Sequence, residues 1–135
     1  QAEEGANLKH DITIPLSGLE RFITETDSMI RKLYPGVRII NFGHLGDGNL
    51  HYNIAPPPGV DHKAFNQANE KPIHELVYTQ VERFQGSISA EHGVGQLKLD
   101  GLRAHKGEVA HELMKSLKRA LDPQNILNPG KVVLI

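Results

Sequence analysis

Asp47-Gly48 is the dipeptide that most restricts this chain. Asp-Gly between runs of alternating apolar residues is a strong hairpin signal, because the glycine accepts the positive φ that a tight turn demands. It sits within Asn41-Phe-Gly-His-Leu-Gly-Asp-Gly-Asn-Leu-His-Tyr-Asn53. A turn centred there sets Leu45 opposite Leu50, His44 opposite His51 and Phe42 opposite Asn53. Directly opposed residues of an antiparallel pair have Cβ atoms about 5 Å apart on one face. His44 and His51 then converge, with Asn53 beside them. A four-residue loop over 46–49 keeps this pairing, and a three-residue loop breaks it. Two imidazoles side by side on a strand pair make half of a metal site. The alternative is a polar solvent face carrying two unrelated histidines, and spacing alone does not separate the two.

The flanking sequence supplies the other elements. Residues 1–8 are polar and are expected to fray. Residues 9–15 alternate, with Ile12 and Ile14 on one side and Lys9, Asp11 and Thr13 on the other, which predicts a half-buried strand closed by Pro15. Ser17-Gly-Leu-Glu20 has the spacing of a capping box. Leu19, Phe22, Ile23, Ile30 and Leu33 then recur at helical spacing as far as Tyr34, before Pro35-Gly36. Strands are predicted over 37–44 and 49–55, ended by Pro56-Pro57-Pro58-Gly59. Asp61 is placed to cap a helix reaching residue 68, which Pro72 interrupts. A second helix over 72–85 carries Ile73, Leu76, Val77, Val81 and Phe84 on one stripe. Residues 87–91 read as a short fourth strand, and 96–104 and 108–121 as two further helices. The tail is an Asn-Pro-Gly turn followed by an apolar extended stretch.

Strand, helix, strand, strand, helix, strand is the ferredoxin-like split βαβ arrangement, an α+β fold with both helices on one sheet face. Parity sorts the strand residues. Ile12, Ile14, Leu45, Leu50, Tyr52, Ile54, Ile88 and Ala90 make an apolar face suited to the helices. Lys9, Asp11, Thr13, His44, His51, Asn53, Ser89 and Glu91 make the other. In this fold the first strand lies between the third and fourth, so Lys9, Asn53 and Glu91 gather at one edge. The distance from His44 to Glu91 depends on a strand register that sequence does not fix.

Composition narrows the chemistry. At 135 residues the chain suffices for one domain and one core. A net charge of −1 without clusters of either sign argues against nucleic acid and anionic membrane as partners. With no cysteine, disulfide and thiolate chemistry are excluded, and any metal site must use His, Asp and Glu. No apolar run is long enough to span a bilayer and no signal-peptide pattern opens the chain, an absence that says nothing in a piece of a longer protein; a cytoplasmic protein is expected. Gln1 is not a natural start, and the sequence is expected to be a piece of a longer protein.

Two histidines and a glutamate, here His44, His51 and Glu91, are a catalytic zinc set with one position left for water or substrate. Manganese or iron(II) accepts the same donors. Lys9 on that face can hold a carboxylate, and Asn53 can donate or accept a hydrogen bond. His92, in a glycine-flanked loop, can serve as a general base. Against this, Glu91-His92 alone reads as a solvated loop dipeptide and Lys9 as a surface lysine. His62, His74, His105 and His111 are read as peripheral, and His10 as partly buried.

Three motifs in order carry a resemblance over most of the chain: Gly43-His-Leu-Gly-Asp-Gly-Asn-Leu-His-Tyr-Asn53, Ser89-Ala-Glu-His-Gly-Val-Gly95 and Leu121-Asp-Pro-Gln-Asn-Ile-Leu-Asn-Pro-Gly-Lys131. From about Lys9 onward the sequence resembles the C-terminal domain of FAD-linked oxidases. These are flavin dehydrogenases of D-2-hydroxy acids such as D-lactate and D-2-hydroxyglutarate, together with the glycolate oxidase flavoprotein subunit. The resemblance implies that His44, His51 and Glu91 hold a divalent metal, Zn2+ or Mn2+. It implies that His92 removes the substrate hydroxyl proton while a hydride passes to FAD. Lys9 and Asn53 match substrate-contacting positions, and Asn128 and Lys131 are candidates on the cofactor side. It also implies that an N-terminal FAD-binding domain is absent from this chain, which alone is expected to turn over nothing. An open sheet face in such a piece is prone to self-associate as a homodimer. The competing reading is a stand-alone ferredoxin-like module binding a metal or small anion without redox chemistry.

Overall fold

The computed structural model describes residues 7–135. Of the polar start expected to fray, residues 1–6 lie outside the described residues, whereas Asn7 and Leu8 are buried. The elements are β1 (Leu8–Thr13), α1 (Leu16–Leu33), β2 (Arg38–Phe42), β3 (Asn49–Ala55), α2 (His62–Arg83), α3 (Leu99–Lys106) and α4 (Glu108–Leu121). The strands form one antiparallel sheet in the order β1-β3-β2, which is the expected α+β architecture. The chain divides into two compact units, one ending at Glu91 and the other running from His92 to Ile135.

In the first unit the predicted fourth strand shrinks to one bridge, Thr13↔Ser87, on the outer edge of β1. The Ala90 N–H also donates to the Asp11 carbonyl at 3.2 Å. The ferredoxin-like order survives, with β1 between this segment and β3. Serine chemistry shortens the strand: the Ser87 hydroxyl donates to the Ser89 carbonyl and accepts the Ser89 N–H. Such local bonds offer the backbone an alternative to the ladder.

One sheet face carries the core. Ile12, Ile14, Leu50, Tyr52, Ile54 and Ile88 pack there against Leu19, Phe22 and Ile30 of α1 and Ile73, Val77 and Val81 of α2. α1 starts two residues earlier than the capping box predicts. Pro15 is its N-cap, its carbonyl already accepting the Gly18 N–H at 2.8 Å, so Ser17 lies inside the helix with no capping bond. Thr26 completes the buried stripe, and Leu33 turns outward. α2 does not break at Pro72. Its own cap upstream, the Asp61 carboxylate accepting the Ala64 N–H at 2.7 Å, and its buried stripe downstream hold it through the missing proline N–H.

His10 is fully buried, and His74 is not peripheral. Nδ1 of His10 donates to the Tyr52 carbonyl at 2.7 Å. Its Nε2 is then the acceptor for His74 Nδ1 at 2.7 Å. The Tyr78 ring stacks on His74, so a polar aromatic cluster fills the sheet–α2 interface with both His10 nitrogens bonded. Burial pushes the Tyr52 phenol up, as does the Asp27 carboxylate that accepts from it at 2.8 Å.

In the second unit α3 begins at Leu99 rather than residue 96, and α4 keeps its predicted bounds. The tail is not extended. Asn125, Asn128 and Val132 adopt left-handed φ values of 51°, 50° and 66°, which no strand tolerates. Asp122 knots the turn after α4: its carboxylate accepts the N–H groups of Ile126 and Leu127 at 3.0 and 2.9 Å and the Lys118 ammonium.

Candidate active-site face

The hairpin register differs from the expectation by two residues. Phe42, not His44, lies opposite His51, and Ile40 lies opposite Asn53. The connection is longer than a tight turn because residues 45–47 form a 3-10 turn capped by Gly48 in the left-handed region. The His44 carbonyl accepts the N–H groups of Asp47 and Asn49, which seals the loop. Leu45 leaves the apolar face and is 67% exposed. The glycine at 43 permits the crossing: a Cβ there would meet the Asn49 carbonyl oxygen at 2.2 Å.

Although His44 and His51 are not cross-strand partners, they meet at Glu91. His44 Nε2 lies 3.8 Å from Oε1 of that carboxylate, and His51 Nε2 lies 4.0 Å from Oε2. His51 is the fixed member. Its ring stacks on Phe42, centroids 4.9 Å apart and planes at 24°, which the observed register makes possible. His44 rides on the loop and is largely exposed.

Glu91 is held twice from within the same unit. Its backbone N–H donates to the Asp11 carboxylate, 3.1 Å to Oδ2. Its carboxylate accepts the Asn49 side-chain amide. Asp11 and Asn49 are both buried. Lys9 and Asn53 are register partners across β1 and β3. They share the sheet face of His51 and Asp11, with Lys9 exposed and Asn53 buried.

Among the described residues, no group of three or more His, Asp or Glu side chains is arranged to hold a metal ion. The donor chemistry nonetheless fits one. Two ligand atoms on a tetrahedral zinc lie about 3.3 Å apart, against 3.8 and 4.0 Å here.

The remaining candidates belong to the second unit. His92 is its first residue and is exposed. Asn128 and Lys131 lie on the tail, where the Lys131 ammonium donates to the Asn128 side-chain oxygen at 3.4 Å.

Three contributors escape the sequence reading. Asp11 and Asn49 contact Glu91, and Phe42 supports His51. Parity already places Asp11 on the right face. Its tie to Glu91 depends on where the segment after α2 docks on β1, which no periodicity encodes.

Residues 1–132 match the family model described as FAD linked oxidases, C-terminal domain. A D-2-hydroxyglutarate dehydrogenase of Stutzerimonas stutzeri (strain A1501) is 40% identical over 124 residues, 92% of this chain and 26% of that protein. A putative mitochondrial D-lactate dehydrogenase of Schizosaccharomyces pombe is 37% identical over 133 residues, 93% of this chain and 24% of that protein. The mitochondrial D-2-hydroxyglutarate dehydrogenase of Rattus norvegicus is 35% identical over 133 residues, 98% of this chain and 23% of that protein. The chain therefore spans about a quarter of the length of the curated relatives it matches. It belongs to the family of the C-terminal domains of FAD linked oxidases.

Proposed function

We propose that this chain is the metal- and substrate-binding part of a flavin-dependent dehydrogenase that oxidises a D-2-hydroxy acid to a 2-oxo acid. The observation that carries the reading is the convergence of His44 and His51 on the Glu91 carboxylate in a chain of this family. When bound, FAD, held mainly by a domain outside this sequence, would supply the hydride acceptor, and a divalent ion, Zn2+ or Mn2+, would supply Lewis-acid character toward a chelating substrate.

This chain's residues do the rest. His44, His51 and Glu91 hold the ion. Lys9 pairs with the substrate carboxylate, and Asn53 hydrogen-bonds a substrate oxygen. His92, next after Glu91 in the chain, takes the hydroxyl proton on an imidazole nitrogen as the hydride leaves C2. One proton and one hydride account for the two-electron oxidation. Asn128 and Lys131 lie toward the cofactor in this reading.

D-2-Hydroxyglutarate is the first substrate to test, followed by D-lactate and glycolate. The reading includes a cytoplasmic location. Among the described residues no helix is long and apolar enough to cross a membrane, whereas the plant and mammalian relatives are named as mitochondrial. The test is anaerobic reduction of the flavin in the full-length protein. Bleaching by one of the three acids, lost in His92→Ala and His51→Ala, is expected. Failure of all three acids to reduce the flavin would overturn the assignment.

A further inference from the structure

We infer that Asn49 is a positioning residue for Glu91, working with Asp11 to present the carboxylate to the metal; this rests on the metal reading above. Asn49 opens β3, directly after the Asp-Gly loop, and its side chain is buried. The amide nitrogen donates to Oε1 of Glu91, while its own oxygen is buried with no hydrogen-bond partner.

That combination is informative. A buried, unsatisfied amide oxygen works against folding. A residue of the same shape without polar atoms would hold the start of β3 at least as well. The amide is therefore not explained by stability, and its one bond points at a residue of the candidate site. By donating to Oε1, Asn49 fixes the rotation of the carboxylate and leaves Oε2 turned toward His51. A carboxylate oxygen has lone pairs for an amide donor and a cation together.

Asp11 acts on the other end of the same residue. Its carboxylate takes the Glu91 backbone N–H, and its carbonyl takes the Ala90 N–H. With the strand after α2 reduced to one bridge, these bonds replace the missing ladder just where the ligand must be placed. Backbone position comes from β1, and carboxylate orientation from β3. Partners of this kind set metal affinity by holding the ligand in its bound geometry before the metal arrives.

The test titrates Mn2+ by calorimetry into the metal-stripped, full-length protein and its Asn49→Leu, Asp11→Asn and Glu91→Ala variants. Metal-free thermal unfolding is recorded beside each. Asn49→Leu is expected to bind Mn2+ about 10–100-fold more weakly, with a metal-free unfolding midpoint at or above the parent's. Asp11→Asn retains an oxygen for the Glu91 N–H and is expected to stay near parental affinity. Parental affinity in Asn49→Leu, with binding lost in Glu91→Ala, would overturn the positioning role alone. A matching fall in the midpoint and the affinity of Asn49→Leu would make Asn49 a structural residue and also overturn it. Parental affinity in Glu91→Ala would remove the metal reading itself, and this inference with it.

Discussion

Gly48 ties the candidate site to the sheet through one backbone conformation. Its φ is 67°, and a Cβ there would lie 2.2 Å from the Ile14 carbonyl oxygen. The Ile14 N–H donates to the Gly48 carbonyl at 2.9 Å, so the loop cannot back away without losing that bond. A left-handed non-glycine residue costs about 1–2 kcal/mol before any clash. Gly48→Ala is therefore expected to destabilise the first unit by about 2 kcal/mol or more, read as a lower urea midpoint at unchanged slope. An Asp-Gly turn was legible in the sequence because this requirement is local. The 3-10 turn that precedes it was not, because Gly43 and Gly46 leave the loop length undetermined. That one unknown moved the register, replacing His44 with Phe42 opposite His51.

Elements survived this slip because a shift of two residues preserves parity. Ile12, Ile14, Leu50, Tyr52 and Ile54 stayed on the core face, and Lys9, Asp11, His51 and Asn53 on the other. The helix stripes were legible for the same reason, since burial follows a period. What periodicity could not report was competition at the ends. Pro15 preempted the Ser17 cap, Ser87 closed on Ser89, and Asp122 folded the tail. Asp122 carries an element-scale prediction. The Lys118 ammonium beside it, aided by two backbone N–H groups, holds its carboxyl below the usual value of 3.8. A folded-state pKa below the unfolded one means stability that is fully present above pH 3.8 and is lost as the pH falls through the folded value. Asp122→Asn should lower the stability of the second unit at neutral pH and flatten its loss as the pH falls below 3.8, as followed by thermal melts across the acid range.

At the scale of the whole molecule, the candidate ligands are unevenly shared between the two units. His44, His51 and Glu91 all belong to the first, and none belongs to the second. A ligand that binds only the folded state stabilises it by about 2.7 kcal/mol at a free concentration of 100 times its Kd. On the proposed ligand set, the isolated 135-residue chain is expected to bind metal by itself. Metal should then raise the unfolding transition of the first unit and leave that of the second where it was. Scanning calorimetry of the chain, with Mn2+ or Zn2+ and again after chelation, reads both transitions at once. A shift confined to the first transition, absent in His51→Ala, is the expected result. Equal shifts in both transitions, or a shift that persists in His51→Ala, would place the metal elsewhere and leave the His44–Glu91–His51 cluster as polar packing on an open sheet face.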